Sequence, residues 1–200
     1  PAALDGEYPG STDYDMTSAS YPTALGCMGM GMWRIFCGAD HASQSDATMA
    51  DAMYSMGCAM WQCRDGNTMW RAARHAPTPR LLCCSAPDGA MTALTVSLAL
   101  AGASDAVGVL SWRYKETDRV LAMALELRRM GVAADCGMGS MACLSCSLTW
   151  HGRADVSTYR DHRIAMCCSL MHAAGCGVRA SGPQCVCKTY PDYLHECAGA

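Results

Sequence analysis

Apolar residues recur along the chain in two periods. Val120, Leu121, Met123, Ala124, Leu127 and Met130 lie close to a 3.6-residue repeat and predict a helix over 118–130. The denser apolar stretch 91–100 predicts a second helix, ended by the small residues at 101–104. Shorter runs at 32–36, 106–110 and 177–180 predict strands. Two pairs of runs predict hairpins: 58–63 turns at 64–67 into 68–71, and 132–136 turns at 137–140 into 141–146. The helices before these hairpins, 46–56 and 118–130, both end in Met-Gly, at Gly57 and Gly131, where a left-handed helix stop belongs.

The same pattern returns along the chain. Asp15, Asp88 and Asp161 each open a helical segment, and successive members are 73 residues apart. A second aspartate follows each, Asp46, Asp118 and Asp192, after 31, 30 and 31 residues. Two coincident spacings predict three copies of a ~73-residue unit. Each unit reads β-α-β-α-β-β, and three would pack about a pseudo-threefold axis as one α/β (α+β) domain. Aspartate at a helix N-cap accepts hydrogen bonds from the first free amides. The three capped N-termini should emerge at one end of the domain, a favourable setting for anions. The third unit stops before its hairpin; the chain's own beginning or residues outside this sequence would supply it.

Composition narrows the function classes. Fifteen basic and eighteen acidic residues leave a net charge of −3, with no basic stripe that would fit nucleic acid. The apolar stretches fall short of the ~20 residues that a membrane span needs, and the first residues do not resemble a signal peptide. The chain starts at Pro1 and reads as a piece of a longer one. Fifteen cysteines lie mainly in apolar runs, where a free thiol acts as a small hydrophobe, so a reducing cytoplasm or organelle matrix is expected. Cys143 and Cys146 have C-x-x-C spacing but no second pair, and their context reads as a strand.

Lysine is the most selective signal. There are two, Lys115 and Lys188, against thirteen arginines, and both lie just before the second aspartate of a unit. Lysines used for solubility would be scattered, so Lys115 reads as functional.

Lys115, Glu116, Thr117, Asp118 and Arg119 spell K-E-T-D-R, which resembles a signature of the 5-enolpyruvylshikimate-3-phosphate (EPSP) synthases. The likeness extends along most of the chain. Residues 15–21 resemble that family's D-A-S-S-A-S-Y, 87–92 its P-D-A-A-M-T, 159–166 its Y-D-D-H-R-M-A-M and 185–193 its C-x-x-K-T-F-P-D-Y. The resemblance implies a C-terminal, phosphoenolpyruvate-side domain over residues 1–200, one of two similar three-unit domains with the N-terminal one absent. It implies transfer of an enolpyruvyl group from phosphoenolpyruvate to the 5-hydroxyl of shikimate-3-phosphate, with release of phosphate. By the same resemblance, Asp88 accepts the proton of the attacking hydroxyl and Glu116 shuttles a proton at the enol methylene. Arg119, Arg163 and Lys188 hold phosphoenolpyruvate, and Lys115 with Ser111 reaches the shikimate phosphate. The implied partners are these two substrates and the N-terminal half; no metal or organic cofactor is implied.

Other features read more plainly. Arg113 and Arg160 read as surface charge and His162 as a structural group. The glycines of 26–31 end a helix and do not begin one, unlike a phosphate loop. Ser45, Ser111 and Gly89 depart from the residues most usual in the family, without removing a charged motif residue. Two other classes stay open: a non-catalytic anion-binding or interaction domain derived from such an enzyme, and a piece of a multi-enzyme chain.

Overall fold

The computed structural model describes residues 16–30, 35–36, 49–62, 67–71, 80–145 and 153–198. In chain order the first elements are α1 (Met16–Cys27), β1 (Ile35–Phe36), α2 (Met49–Ser55), β2 (Ala59–Gln62) and β3 (Asn67–Arg71). They are followed by β4 (Arg80–Leu82), α3 (Ala90–Ala101), β5 (Ala103–Val107), a 3-10 helix (Leu110–Tyr114), α4 (Arg119–Arg129), β6 (Val132–Cys136) and β7 (Ser140–Ser145). The last are β8 (Arg153–Ser157), α5 (His162–Ala173), β9 (Gly177–Ser181), a second 3-10 helix (Pro183–Lys188) and α6 (Tyr193–Ala198). Among the described residues no helix is long and apolar enough to cross a membrane.

The centre is made by α1, α3 and α5, each twelve residues long and each packed on the other two. Every α3 residue from Ala90 to Leu98 is buried, as a helix enclosed on all sides requires. Its buried hydroxyls are satisfied, because an unpaired buried polar group is costly. Thr95 donates to the Met91 carbonyl (2.9 Å), Ser97 to the Ala103 carbonyl (2.6 Å), and Thr92 shares a hydrogen bond with Ser20 of α1 (3.1 Å). By contrast, α4 exposes Leu121, Leu125, Arg128 and Arg129 along one stripe and buries Val120, Met123, Ala124 and Leu127.

Strand pairing follows one scheme. In the second sheet, ordered β4-β5-β7-β6, β4 runs parallel to β5, and β7 pairs antiparallel with both β5 and β6. The first sheet, β1-β3-β2, repeats the antiparallel part, and the third, β8-β9, repeats the parallel part. These helices and mixed sheets are an α+β architecture.

The expected helix stops occur: Gly57 and Gly131 have φ of 79° and 84°. The strand expected at 106–110 instead spans Ala103–Val107. Ser104 and Ala106 take the buried positions of a period-two pattern that starts directly after the left-handed Gly102. Gly108 then leaves the strand at φ 82°, pressed so closely on Cys84 that a Cβ would collide with its sulfur. The amides of Gly108 and Val109 both donate to the Gly139 carbonyl at 3.0 Å, and the 3-10 helix follows. Asp15, Ser45, Asp46, the turn at 64–66, the loop at 76–79 and Cys146 lie outside the described residues.

The eleven cysteines whose side chains are described are free, and seven of them are buried. Burial pushes the Cys83 and Cys167 thiols up to about 11 and those of Cys143 and Cys176 to about 12. They stay protonated at neutral pH and fill space, including Cys143 of the C-x-x-C pair.

Candidate active site

The site lies where the N-termini of α3, α4 and α5 meet. Trp112, fully buried on the first 3-10 helix, donates its indole N–H to the Pro87 carbonyl at 2.6 Å. That bond ties the segment bearing Ser111 and Lys115 to the turn bearing Asp88. Asp118 caps α4 by accepting the Leu121 amide at 3.0 Å, and Asp161 caps α5 by accepting the Arg163 amide at 2.9 Å. Asp88 does not cap α3. The cap position is held by Gly89. The Asp88 carboxylate faces cations instead: Lys115 Nζ at 3.3 Å, Arg163 Nη2 at 3.3 Å and Arg119 Nη1 at 3.5 Å. Three positive charges outweigh what two helix amides could offer.

Arg119 is the hub. Its side chain is 1% exposed. Its Nε and Nη2 form a fork on Asp161 at 2.7 and 3.2 Å, and Nη2 also donates to Glu116 Oε2 at 2.7 Å. Planar guanidinium suits this two-point pairing, which a lysine could not reproduce. Arg163 donates to the main-chain carbonyl of Asp88 at 3.1 Å. Glu116 Oε1 lies 3.8 Å from His162 Nδ1 and 3.9 Å from the exposed Lys188 Nζ. Four permanent cations thus face three carboxylates, a local excess of one positive charge in an acidic chain. The pairs of Asp88 with Lys115 and Arg163, at 3.3 Å, are longer than charge-assisted hydrogen bonds of ~2.7–2.9 Å. An incoming phosphate or carboxylate can therefore compete for both cations without breaking a tight bond.

The structure brings together Asp88, Lys115, Glu116, Arg119, Arg163 and Lys188 of the expected set. Ser111 sits on the 3-10 helix with its hydroxyl buried and without a hydrogen-bond partner among the described residues. Arg113 is not surface charge. It donates to Asp118 Oδ2 (2.6 Å) and to the carbonyls of Met138 (2.8 Å) and Gly137 (2.6 Å), clamping the start of α4 to the β6–β7 turn. Asp161 was legible only as a cap; its pairing with Arg119, 42 residues earlier, left no local signal. Trp112 likewise carried none. The turn before Asp161 is unusual, because Tyr159 and Arg160 both have left-handed φ, 54° and 58°. That conformation costs roughly 1–2 kcal/mol per non-glycine residue.

His162 is 7% exposed, and burial, helped by the positive charges of Arg163 and Arg119, holds its pKa below the usual value. Asp161 and Glu116 oppose this and do not overcome it. Below the unfolded value of about 6.5 the unfolded chain binds more protons than the folded one, so stability falls as pH falls through that point. Denaturation midpoints measured between about pH 5 and 7 should drop toward the acid side, and His162→Asn should flatten the slope.

The family model for EPSP synthase (3-phosphoshikimate 1-carboxyvinyltransferase) matches residues 12–196. The 3-phosphoshikimate 1-carboxyvinyltransferase of Paraburkholderia phytofirmans is 38% identical over 203 residues, covering 98% of this chain and 46% of its own length. That of Shewanella amazonensis is 36% identical over 184 residues, covering 92% and 42%. Among solved structures, an EPSP synthase from Acinetobacter baumannii shares the fold with a TM-score of 0.71 at 17% identity, over 92% of this chain and 45% of that one. The enolpyruvyl transferase NikO from Streptomyces tendae has a TM-score of 0.60 at 16% identity, over 92% and 42%. The chain therefore spans less than half the length of the relatives it matches. With a family match along nearly its whole length and the fold of these transferases, the chain belongs to the EPSP synthase family.

Proposed function

We propose that this chain is the C-terminal, phosphoenolpyruvate-side half of an enzyme that moves the enolpyruvyl group of phosphoenolpyruvate onto the 5-hydroxyl of shikimate-3-phosphate. The observation that carries the reading is the convergence of Lys115, Arg119 and Arg163 on Asp88, with Glu116 and Lys188 beside them. This is a cationic cluster interleaved with two partly exposed carboxylates. It suits a dianionic substrate and the two proton transfers the reaction needs.

In this reading Arg163 and Lys188 bind the phosphate and carboxylate of phosphoenolpyruvate together with Arg119. Lys115 and Ser111 reach the phosphate side of the second substrate. Asp88 takes the proton of the attacking hydroxyl as its oxygen bonds to C2 of phosphoenolpyruvate, and Glu116, entering this step protonated, delivers that proton to C3, turning methylene into methyl. Glu116 then takes back a methyl proton as the bond from C2 to phosphate breaks and the double bond re-forms, and the departing phosphate carries off the proton held by Asp88. Acid–base assistance of this type contributes ~10²–10⁴-fold. The N-terminal half supplies the rest of the cleft, and a reducing compartment, the cytoplasm or an organelle matrix, suits the buried thiols.

The test is reconstitution. The chain is mixed with a separately produced N-terminal half of a relative, and phosphate release is followed with both substrates present. Release that needs both halves and both substrates is expected. A folded chain that releases no phosphate with any such half would sink the catalytic reading, and phosphoenolpyruvate binding without release would favour an anion-binding module.

A further inference from the structure

One buried carboxylate takes no part in that chemistry. Glu126 is 1% exposed and lies on α4 seven residues, about two turns, after Arg119, so both side chains leave the helix on one face. Its Oε1 accepts the Tyr159 hydroxyl at 2.6 Å, and its Oε2 accepts the Ser157 amide at 3.1 Å. The exposed Arg129 adds a contact at 3.4 Å. Thus α4 grips one segment at two points: Glu126 holds Tyr159 and Ser157, and Arg119 holds Asp161.

Between those points lies the turn in which Tyr159 and Arg160 are both left-handed, closed by the Asp161 amide donating to the Thr158 carbonyl at 2.8 Å. Thr158, itself buried, donates its hydroxyl to the Ser181 carbonyl of β9 at 2.7 Å. A conformation that both side chains disfavour persists only where its surroundings over-determine it. Here the surroundings are the Glu126–Tyr159 hydrogen bond on one side and the Thr158–Ser181 bond on the other.

We propose that Glu126 and Tyr159 are positioning residues: their hydrogen bond holds the 158–161 turn left-handed, and that turn sets Asp161, which in turn orients Arg119 and caps the helix that presents Arg163. The Glu126 carboxylate acts through the turn and touches no substrate. The consequence for binding rests on the proposed function, whereas the mechanical link from Tyr159 to Arg119 does not.

Two readouts on the same 200-residue chain separate these. In chain labelled with ¹⁵N-arginine, the Nε–H of Arg119 is expected to exchange slowly, being buried against Asp161. Tyr159→Phe, which removes one hydroxyl and no volume from the core, should speed that exchange at least ~10-fold while the amides of Leu94 and Leu98 in α3 stay protected. Adding Arg160→Gly, which accepts positive φ freely, should restore most of the protection. Unchanged Arg119 exchange in Tyr159→Phe, or no restoration by Arg160→Gly, overturns the inference. Titration with phosphoenolpyruvate should show at least ~10-fold weaker binding in Tyr159→Phe. Faster exchange with unchanged affinity overturns the positioning role. A wild-type chain that binds no phosphoenolpyruvate even with the N-terminal half of a relative added counts against the proposed function instead, and the exchange comparison then decides the mechanical link alone.

Discussion

Replacing Arg119 with methionine is expected to cost ~3–5 kcal/mol of folding stability, the range for removing one partner of a buried ion pair. The guanidinium is 1% exposed and its principal partner, Asp161, is fully buried. Methionine roughly fills the space but leaves Asp161 charged with, among the described residues, only the Arg163 amide as a donor, and leaves Glu116 without its 2.7 Å bond. A domain of ordinary stability holds ~5–15 kcal/mol in total, so the variant should be marginal at room temperature. Adding Asp161→Asn should recover part of the loss, because asparagine keeps the cap on α5 without a buried charge. Urea denaturation midpoints measure both effects; a single-variant loss under ~1 kcal/mol would mean that the site does not depend on this pair for folding.

Lys115→Met should do the reverse, lowering turnover with little change in stability, whereas Arg163→Ala should lower turnover and cost some stability too, because its side chain is buried and donates to the Asp88 carbonyl at 3.1 Å. Both side chains pair only loosely with the Asp88 carboxylate, at 3.3 Å, and Lys115 is one-third exposed, while Arg163 is buried. Their value lies in anion contact, and removing one preorganised charge-stabilising group typically lowers kcat by ~10²–10³. In the reconstituted enzyme, kcat/KM should fall by at least ~10²-fold for each, with the denaturation midpoint of Lys115→Met close to wild type. Unchanged rates would remove these residues from the site. Comparison with Arg119→Met then separates the two jobs: Arg119 holds the site together, whereas Lys115 and Arg163 are available to substrate.

Much of this is legible in the residue order alone. The Met-Gly ends of α2 and α4 read correctly, because a left-handed stop has a local chemical signature. The hairpins β2–β3 and β6–β7 read correctly because period-two runs flank turn residues. The strand β5 was misplaced by three residues because Ala103 and Ser104 resemble a helix end as much as a strand start. Their burial comes from packing, not from their own preferences.

By itself, the sequence determined the recurring aspartates, the central and amphipathic helices, and the motifs that tie the chain to its family. Those features depend on neighbours within a turn or two of helix, so residue order is enough to reveal them. Only the tertiary structure decided what the charges do. Asp88 reads by spacing as a cap and by resemblance as a proton acceptor, and its carboxylate lies among three cations; Asp161 reads as a cap and also secures Arg119; Arg113 reads as surface charge and is a clamp. Glu126 reads as an ordinary helix glutamate and is buried against a turn 33 residues later. Coulomb attraction carries no sequence register, so which carboxylate meets which cation is settled only when packing of α3, α4 and α5 brings their ends together.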